Sequence, residues 1–374
     1  MNFDFSDDQK QLQDQARRFL ADRCPTTAVR AVLEGSQSYD AELWKGLGEM
    51  GFLGAAIPEE YGGVGLGYLE LCVIAEELGR AVAPVPVVSS IYLAAEALLL
   101  AGTEAQKAAW LPKLASGEAI GCFALAEGIG RTTEKSIKAT VSGGKLTGKK
   151  VPVADGDIAD VAIVAAREGG KVGLYIVDLS AAGVSKTVEQ SIDPTRSQAT
   201  LSFDGAAAEL LGVAGDGWRL ASEVMDRAAI LIAFEQVGGS DKALEMGRDY
   251  ALDRMAFGRP IGSFQAVKHI LADMYVSATL ARSNAYYGAW ALSTGSSELP
   301  VAAATARVSA TQAYQHCSKN NIQVHGGMGF TWAFDCHLHY RRSNNLALTI
   351  GSQSTWEDLL IDRLRQRNDA PAAA

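Results

Sequence analysis

The strongest constraint on the fold is a hydrophobic period that changes twice along the chain. Up to about residue 115 apolar residues recur at helical spacing. From Ser116 to Gly212 the chain turns to short Val-, Thr-, Ala- and Gly-rich segments of strand length. From Gly217 the helical period returns and runs to about residue 367. Helical runs and strand runs that are segregated along the chain, rather than alternating, point to separate helical and β segments. The expected class is mainly α with a middle β domain: an N-terminal helical domain (1–115), a small β-barrel or sandwich (116–212) and a C-terminal four-helix bundle (213–374).

Local signals place the elements. Ser6-Asp7-Asp8-Gln9 has the form of a capping box, followed by Leu12, Ala16, Phe19 and Leu20 on one face. Asp40 can cap a second helix with Leu43, Trp44, Leu47 and Met50 inward. A helix from about Tyr68 to Leu78 ends near Gly79, read as a C-cap. Another covers about Ile91–Leu100, and a short one Thr103–Leu114. Gly143-Gly144 and Glu168-Gly169-Gly170 separate strand-like runs as hairpin turns do, and Ala199–Phe203 is a further strand. The bundle helices are expected over about 217–253, 262–294, 299–324 and 335–367, with a frayed tail at Asp369–Ala374.

Composition narrows the function class. With 48% hydrophobic and 21% charged residues the 374-residue chain is of ordinary globular type. Its 34 Lys and Arg against 43 Asp and Glu leave −9, which argues against nucleic acid or an anionic membrane as main partner. The 81–101 run carries Pro84, Pro86 and Glu96 and reads as a turn and a buried helix, not a membrane span. The five cysteines form no C-x-x-C pair, and the N-terminus lacks the pattern of a signal peptide. A cytoplasmic protein is the expectation.

One stretch stands out, residues 254–265. It holds a fixed cation (Arg254), an aromatic (Phe257), a flexible joint (Gly258), a helix stop (Pro260) and an amide (Gln265). A guanidinium matches phosphate geometry, and glycine lets backbone approach a ligand. By itself the stretch reads first as a helix–helix connection with a surface arginine.

Four motifs, in order, resemble the acyl-CoA dehydrogenase family. They are Ile57-Pro58-Glu59-Glu60-Tyr61-Gly62-Gly63, Leu111-Pro112-Lys113-Leu114-Ala115-Ser116-Gly117-Glu118, Arg254-x-x-Phe257-Gly258-x-Pro260-Ile261 with Phe264-Gln265, and Gln323-x-His325-Gly326-Gly327-x-Gly329-Phe330-Thr331. The opening Phe5-Ser6-Asp7-Asp8-Gln9 is similar to the family's first helix start, so the resemblance covers nearly the whole chain. It implies FAD, an acyl-CoA substrate, α,β-desaturation of the thioester and an electron-transferring flavoprotein as acceptor. It also implies that Arg254, Phe257, Gln265, Gln323, Gly326 and Gly327 serve the FAD of a neighbouring subunit. His325 reads as a packing residue, and His337 with His339 does not suggest a metal site.

The chain departs from the family pattern on the other half of the site. A Leu-Thr-Glu-Pro-x-Ala-Gly-Ser-Asp segment becomes Leu125-Ala-Glu127-Gly-Ile-Gly-Arg-Thr-Thr133. A Trp-Ile-Thr segment becomes Pro152-Val153-Ala154. The Tyr-Glu-Gly-Thr segment with the usual base becomes Thr349-Ile350-Gly351-Ser352, and the alternative base position falls on Ala228-Ala229. Neither Ile350 nor Ala228 can accept a proton. Glu235, seven residues beyond Ala228, is either a displaced base or a bundle glutamate. This pattern resembles the non-catalytic subunit of heterotetrameric steroid side-chain acyl-CoA dehydrogenases, paired with a homologous chain. The alternatives are a self-sufficient homotetramer using Glu235 and a flavin-free scaffold.

Overall fold

The computed structural model describes residues 6–369. Phe5 of the first motif and the tail beyond Asp369 lie outside them. The contacts divide the chain into two compact units. One comprises Met1–Thr27, Cys72–Ala83 and Ala229–Ala374, the other Ala28–Leu71 and Pro84–Ala228.

Helices α1 (Asp7–Arg23), α2 (Thr26–Glu34), α3 (Ala41–Glu49), α4 (Tyr68–Arg80), α5 (Glu96–Ala101) and α6 (Glu104–Ser116) precede the strands. Ser6 and Gln9 form the expected capping box, and Thr103 with Gln106 forms another at α6. Asp40 caps α3 through the Leu43 amide, and Leu43, Trp44 and Leu47 are buried. Met50 is not: it follows the last turn and is 38% exposed. The expected 91–100 helix is in fact a π-helical stretch, Val88–Ala95, running into α5. Such widened turns recur at functional sites.

In the second unit a single eight-stranded sheet runs β6-β7-β3-β2-β4-β5-β8, with β1 beside β4. The strands are β1 (Gly121–Ala124), β2 (Thr140–Ser142), β3 (Lys145–Ala154), β4 (Val161–Glu168), β5 (Lys171–Asp178), β6 (Val184–Glu189), β7 (Gln198–Ala207) and β8 (Glu209–Leu211). Both hairpin turns fall at the expected glycines. Gly143 and Gly144 have φ of +56° and +71°, Gly169 and Gly170 +58° and +83°, the signature of two-residue type I′ turns. The first six residues of β4 are buried, as suits a strand covered on both faces. Edge strand β6 is almost wholly exposed and carries Lys186 and Glu189, which discourage further pairing.

The first unit holds α1 and the long helices α7 (Gly217–Asp253, from Ala229), α8 (Gln265–Ser293) and α9 (Leu299–His325). The fourth long helix is two: α10 (Cys336–Leu348) and α11 (Gln353–Asp369), interrupted at 349–352 where Gly351 takes φ +111°. Gly79 is not a C-cap. It lies inside α4, where a Cβ would sit 1.9 Å from the Glu235 carbonyl oxygen; at Gly238 of α7 a Cβ would sit 1.9 Å from that of Glu76. The two helices cross with backbones in contact, and only glycine fits at either point. Around the crossing Glu76 takes both Arg282 nitrogens at 2.9 and 3.1 Å, and Glu77 takes Arg17 at 2.7 and 2.9 Å. Glu76 is 2% exposed and its carboxyl is raised above the ordinary range, first by loss of solvent.

His339 of α10 is buried, its Nδ1 3.0 Å from the Tyr314 hydroxyl. Desolvation, then the charges of Lys242, Arg342 and Arg80, push it down to about 3. An imidazole depressed below its unfolded value contributes stability above pH 6.5 and loses it as the pH falls. Between pH 6.5 and 5 the loss is about 2 kcal/mol. Urea unfolding of the native chain against His339→Gln measures it: the variant should be flatter over this window. Parallel curves would refute a neutral buried imidazole.

Candidate functional site

The end of α7 and the start of α8 build a projecting corner. The Arg254 amide still donates to the Tyr250 carbonyl at 2.9 Å, and the Ile261 amide closes the loop onto the Arg254 carbonyl at 2.8 Å. Between them β9 (Met255–Ala256) pairs with β10 (Arg259–Pro260) across Phe257 and Gly258. Those two residues have φ of +54° and +78°. Glycine adopts this conformation freely, whereas a bulky side chain pays roughly 1–2 kcal/mol for it. Phe257 is also 95% exposed, touching Phe264 only edge-on at 6.1 Å. An aromatic held in strained backbone and left in solvent opposes both sterics and the hydrophobic effect, a combination that marks functional sites.

Arg254 is exposed and has no ion pair or side-chain hydrogen bond among the described residues. Gln265 is the exposed first residue of α8, whose N-cap position, Phe264, offers no side-chain acceptor. Of the first amides of this 29-residue helix, those of Val267 and Lys268 donate to the Phe264 carbonyl at 3.1 Å. Amides at a helix start and an arginine are the two groups that hold phosphates.

The second cluster lies at the end of α9. Gln323 is exposed on the last turn, and Gly326 (φ +58°) ends the helix, its amide donating to the Gln323 carbonyl. A Cβ at Gly258, Gly326 or Gly327 would meet nothing within 4 Å, so these glycines leave open backbone rather than accommodate a packed neighbour. Aromatic packing brings the clusters together. Tyr250, one turn before Arg254, stacks on His325 at 4.1 Å, and Phe334 meets both rings edge-on at 6.0 and 5.7 Å. His325 Nδ1 donates to the Asn321 carbonyl at 2.8 Å. Its imidazole is pushed down by desolvation, with that bond opposing. It is a packing residue. Tyr250 and Phe334 were not singled out from the sequence; the placement of Tyr250 one turn before Arg254 was the available signal.

In the second unit the 125–133 segment is tied to β3. The Val151 amide donates to the Ala126 carbonyl at 2.8 Å and the Gly128 amide to the Val151 carbonyl at 2.9 Å. Glu127 accepts from Lys150 Nζ at 2.6 Å and from the Lys138 and Ala139 amides at 2.7 and 3.0 Å. Its carboxyl is lowered on balance: desolvation raises it, but Lys150 and the amides outweigh that. Glu127 is thus engaged within the fold. Pro152 stands where the β3–β7 register shifts between Lys150 and Val153. Ala228 is fully buried. Beside it Arg227 binds Glu96 at 3.0 Å and the Tyr68 hydroxyl at 3.1 Å.

Two positions in the first unit complete the comparison. Ile350 stands in the break between α10 and α11, half-buried, its carbonyl accepting the Trp356 indole N–H at 3.2 Å. Glu235 is fully buried, its backbone pressed against Gly79. Among the described residues no group of three His, Cys, Asp or Glu is placed to hold a metal, and no helix is long and apolar enough to cross a membrane.

Residues 6–118 match the family profile described as acyl-CoA dehydrogenase, N-terminal domain, and residues 215–364 match acyl-CoA dehydrogenase, C-terminal domain. The chain is 33% identical over 347 residues to acyl-CoA dehydrogenase IpdE2 of Mycobacterium tuberculosis, covering 92% of this chain and 94% of that one. The Tcur3481–Tcur3483 steroid ACAD structure superposes at a TM-score of 0.89 with 31% identity, over 97% of this chain and 99% of the other. The ChsE4–ChsE5 complex from Mycobacterium tuberculosis superposes at 0.89 with 27% identity, over the full length of both chains. With both profile domains in order and a curated relative matched nearly end to end, this chain belongs to the acyl-CoA dehydrogenase family.

Proposed function

We propose that this chain is a subunit of an FAD-dependent acyl-CoA dehydrogenase that completes the cofactor site of a neighbouring, homologous subunit and supplies no catalytic base of its own. The observation that carries the reading is the exposed corner at 254–258. An arginine with no ion pair or side-chain hydrogen bond among the described residues and a strained, solvent-borne phenylalanine project there, close in sequence to the start of α8. These groups fit a diphosphate and the ring system attached to it. Arg254, the α8 amides and the open backbone at Gly326 and Gly327 would hold the FAD diphosphate, with Phe257, Gln265 and Gln323 beside it. Bound FAD supplies the hydride acceptor for α,β-dehydrogenation of the thioester.

The other half of the reaction is read as the partner's. By the resemblance to the family pattern, the base positions are read as Ile350 and Ala228, and neither side chain takes a proton. Glu235 is buried as a packing residue. Two of the solved relatives are named as pairs of chains, one of them a steroid ACAD; by analogy the assembly is a heterotetramer of two chain types acting on a steroid-derived acyl-CoA. Residues 1–115, 116–212 and 213–374 are read as its helical, β and bundle segments, an electron-transferring flavoprotein as its electron acceptor, and the cytoplasm as its location.

Visible spectroscopy tests the assignment. The chain purified alone is expected to be colourless. Co-purified with a homologous subunit that carries the base, it is expected to be yellow and to be bleached by an acyl-CoA. Bleaching of a flavin on the chain alone would overturn the proposal.

A further inference from the structure

Arg307 of α9 is a fully buried arginine whose hydrogen-bond partners among the described residues are a side-chain amide, a hydroxyl and a backbone carbonyl, with no carboxylate among them. It is 1% exposed. Its Nη1 donates to Gln236 Oε1 of α7 at 2.8 Å and to Thr311 Oγ1 at 3.0 Å; its Nη2 donates to the Leu346 carbonyl. Burial alone pushes the guanidinium down, to about 9. An uncompensated cation in a helical core is costly, and well-packed apolar residues often serve as well or better. The compensation here is the last turn of α10. Leu346 carries one of the four carbonyls that a helix leaves unbonded at its C-terminus, where the helix dipole places roughly half a negative charge.

We infer that Arg307 is a positioning residue: it anchors the C-terminus of α10 and thereby fixes the 349–352 break that holds Ile350. The break is secured on its other sides as well. Thr349 Oγ1 donates to the Asn345 carbonyl at 3.0 Å, the Gly351 amide to the Leu348 carbonyl at 3.2 Å, and Trp356 Nε1 to the Ile350 carbonyl. Four donors therefore hold a segment that ends one helix and starts another. The segment at which relatives present their base is kept here as a preformed surface, although its side chain is apolar. This rests on the family assignment and on the reading of Ile350 as the base position. The anchoring itself is independent of partner and flavin, so its failure is distinguishable from failure of the proposed function.

Hydrogen–deuterium exchange of the chain alone tests it. In Arg307→Met the amides of peptides covering 345–352 should exchange at least roughly tenfold faster, equivalent to about 1.4 kcal/mol. Peptides from the middle of α7 and α8 should be unchanged. Arg307→Lys keeps a cation near the α10 terminus and should recover most of the protection. Gln236→Leu removes the other side-chain acceptor and should leave 345–352 as in the native chain. If Arg307→Met does not fold, Arg307→Gln, which keeps donors without charge, is read in the same way. Unchanged exchange at 345–352, loosening spread evenly over the bundle, or an equal effect from Gln236→Leu would each overturn the inference.

Discussion

Gly238→Ala is expected to lower stability by about 3 kcal/mol or more, enough to remove much of the folded population of a marginal domain. Helix propensity predicts the opposite sign, because alanine in place of glycine inside a helix stabilises by roughly 1 kcal/mol. The packing decides. A Cβ at this position would lie 1.9 Å from the Glu76 carbonyl oxygen and 3.1 Å from the Arg80 amide nitrogen. Backbone cannot turn aside as a flexible side chain can, so α7 and α4 must move apart. Separation would also strain the bidentate Glu76–Arg282 pair, where removal of either partner leaves a buried charge. Equilibrium urea unfolding of the variant measures the effect. An unchanged or raised midpoint would show that the crossing opens at little cost.

Arg254→Ala is expected to strip flavin from the co-purified assembly while the chain itself stays folded. The side chain is exposed and unpaired among the described residues, so its loss costs the fold little. The diphosphate would lose two charge-assisted hydrogen bonds of about 1.5 kcal/mol or more each. Together these weaken cofactor binding by roughly 100-fold. The ratio of flavin to protein absorbance after dialysis reports the loss. Arg254→Lys, a point charge without the planar fork, should retain an intermediate ratio. A full complement of flavin in Arg254→Ala would remove the corner at 254–258 from the cofactor site.

The residues of this proposed site can be picked out in the sequence because they are consecutive or nearly so. Arg254, Phe257, Gly258 and Gln265 fall in one stretch, and Gln323, Gly326 and Gly327 in another. What could not be read was the packing that unites them. Tyr250, His325 and Phe334 stack across the ends of two helices, a relation between positions far apart in the chain. Glu235 shows the same limit. Its helical spacing from Ala228 suits a displaced base and a bundle glutamate equally, and only the structure shows that the residue is fully buried with its backbone against Gly79. Gly79 was misread for a related reason. A glycine near the end of an apolar run suits a cap and a close crossing equally, and a partner helix more than 150 residues away decides between them.

The sequence by itself determined the order of helical, β and helical segments, the two Gly-Gly hairpins, the capped helix starts and the family to which the chain belongs. These are local properties: periodicity, capping and turn chemistry act over a few residues, and motifs are strings. The tertiary structure decided that Met50 is exposed, that the fourth bundle helix breaks at 349–352, and that the residue after Ala256 is a strained phenylalanine facing solvent. It also placed Arg307 against the end of α10. Each of these depends on which surfaces the fold covers and which charges it leaves to be answered, and long-range packing alone sets both.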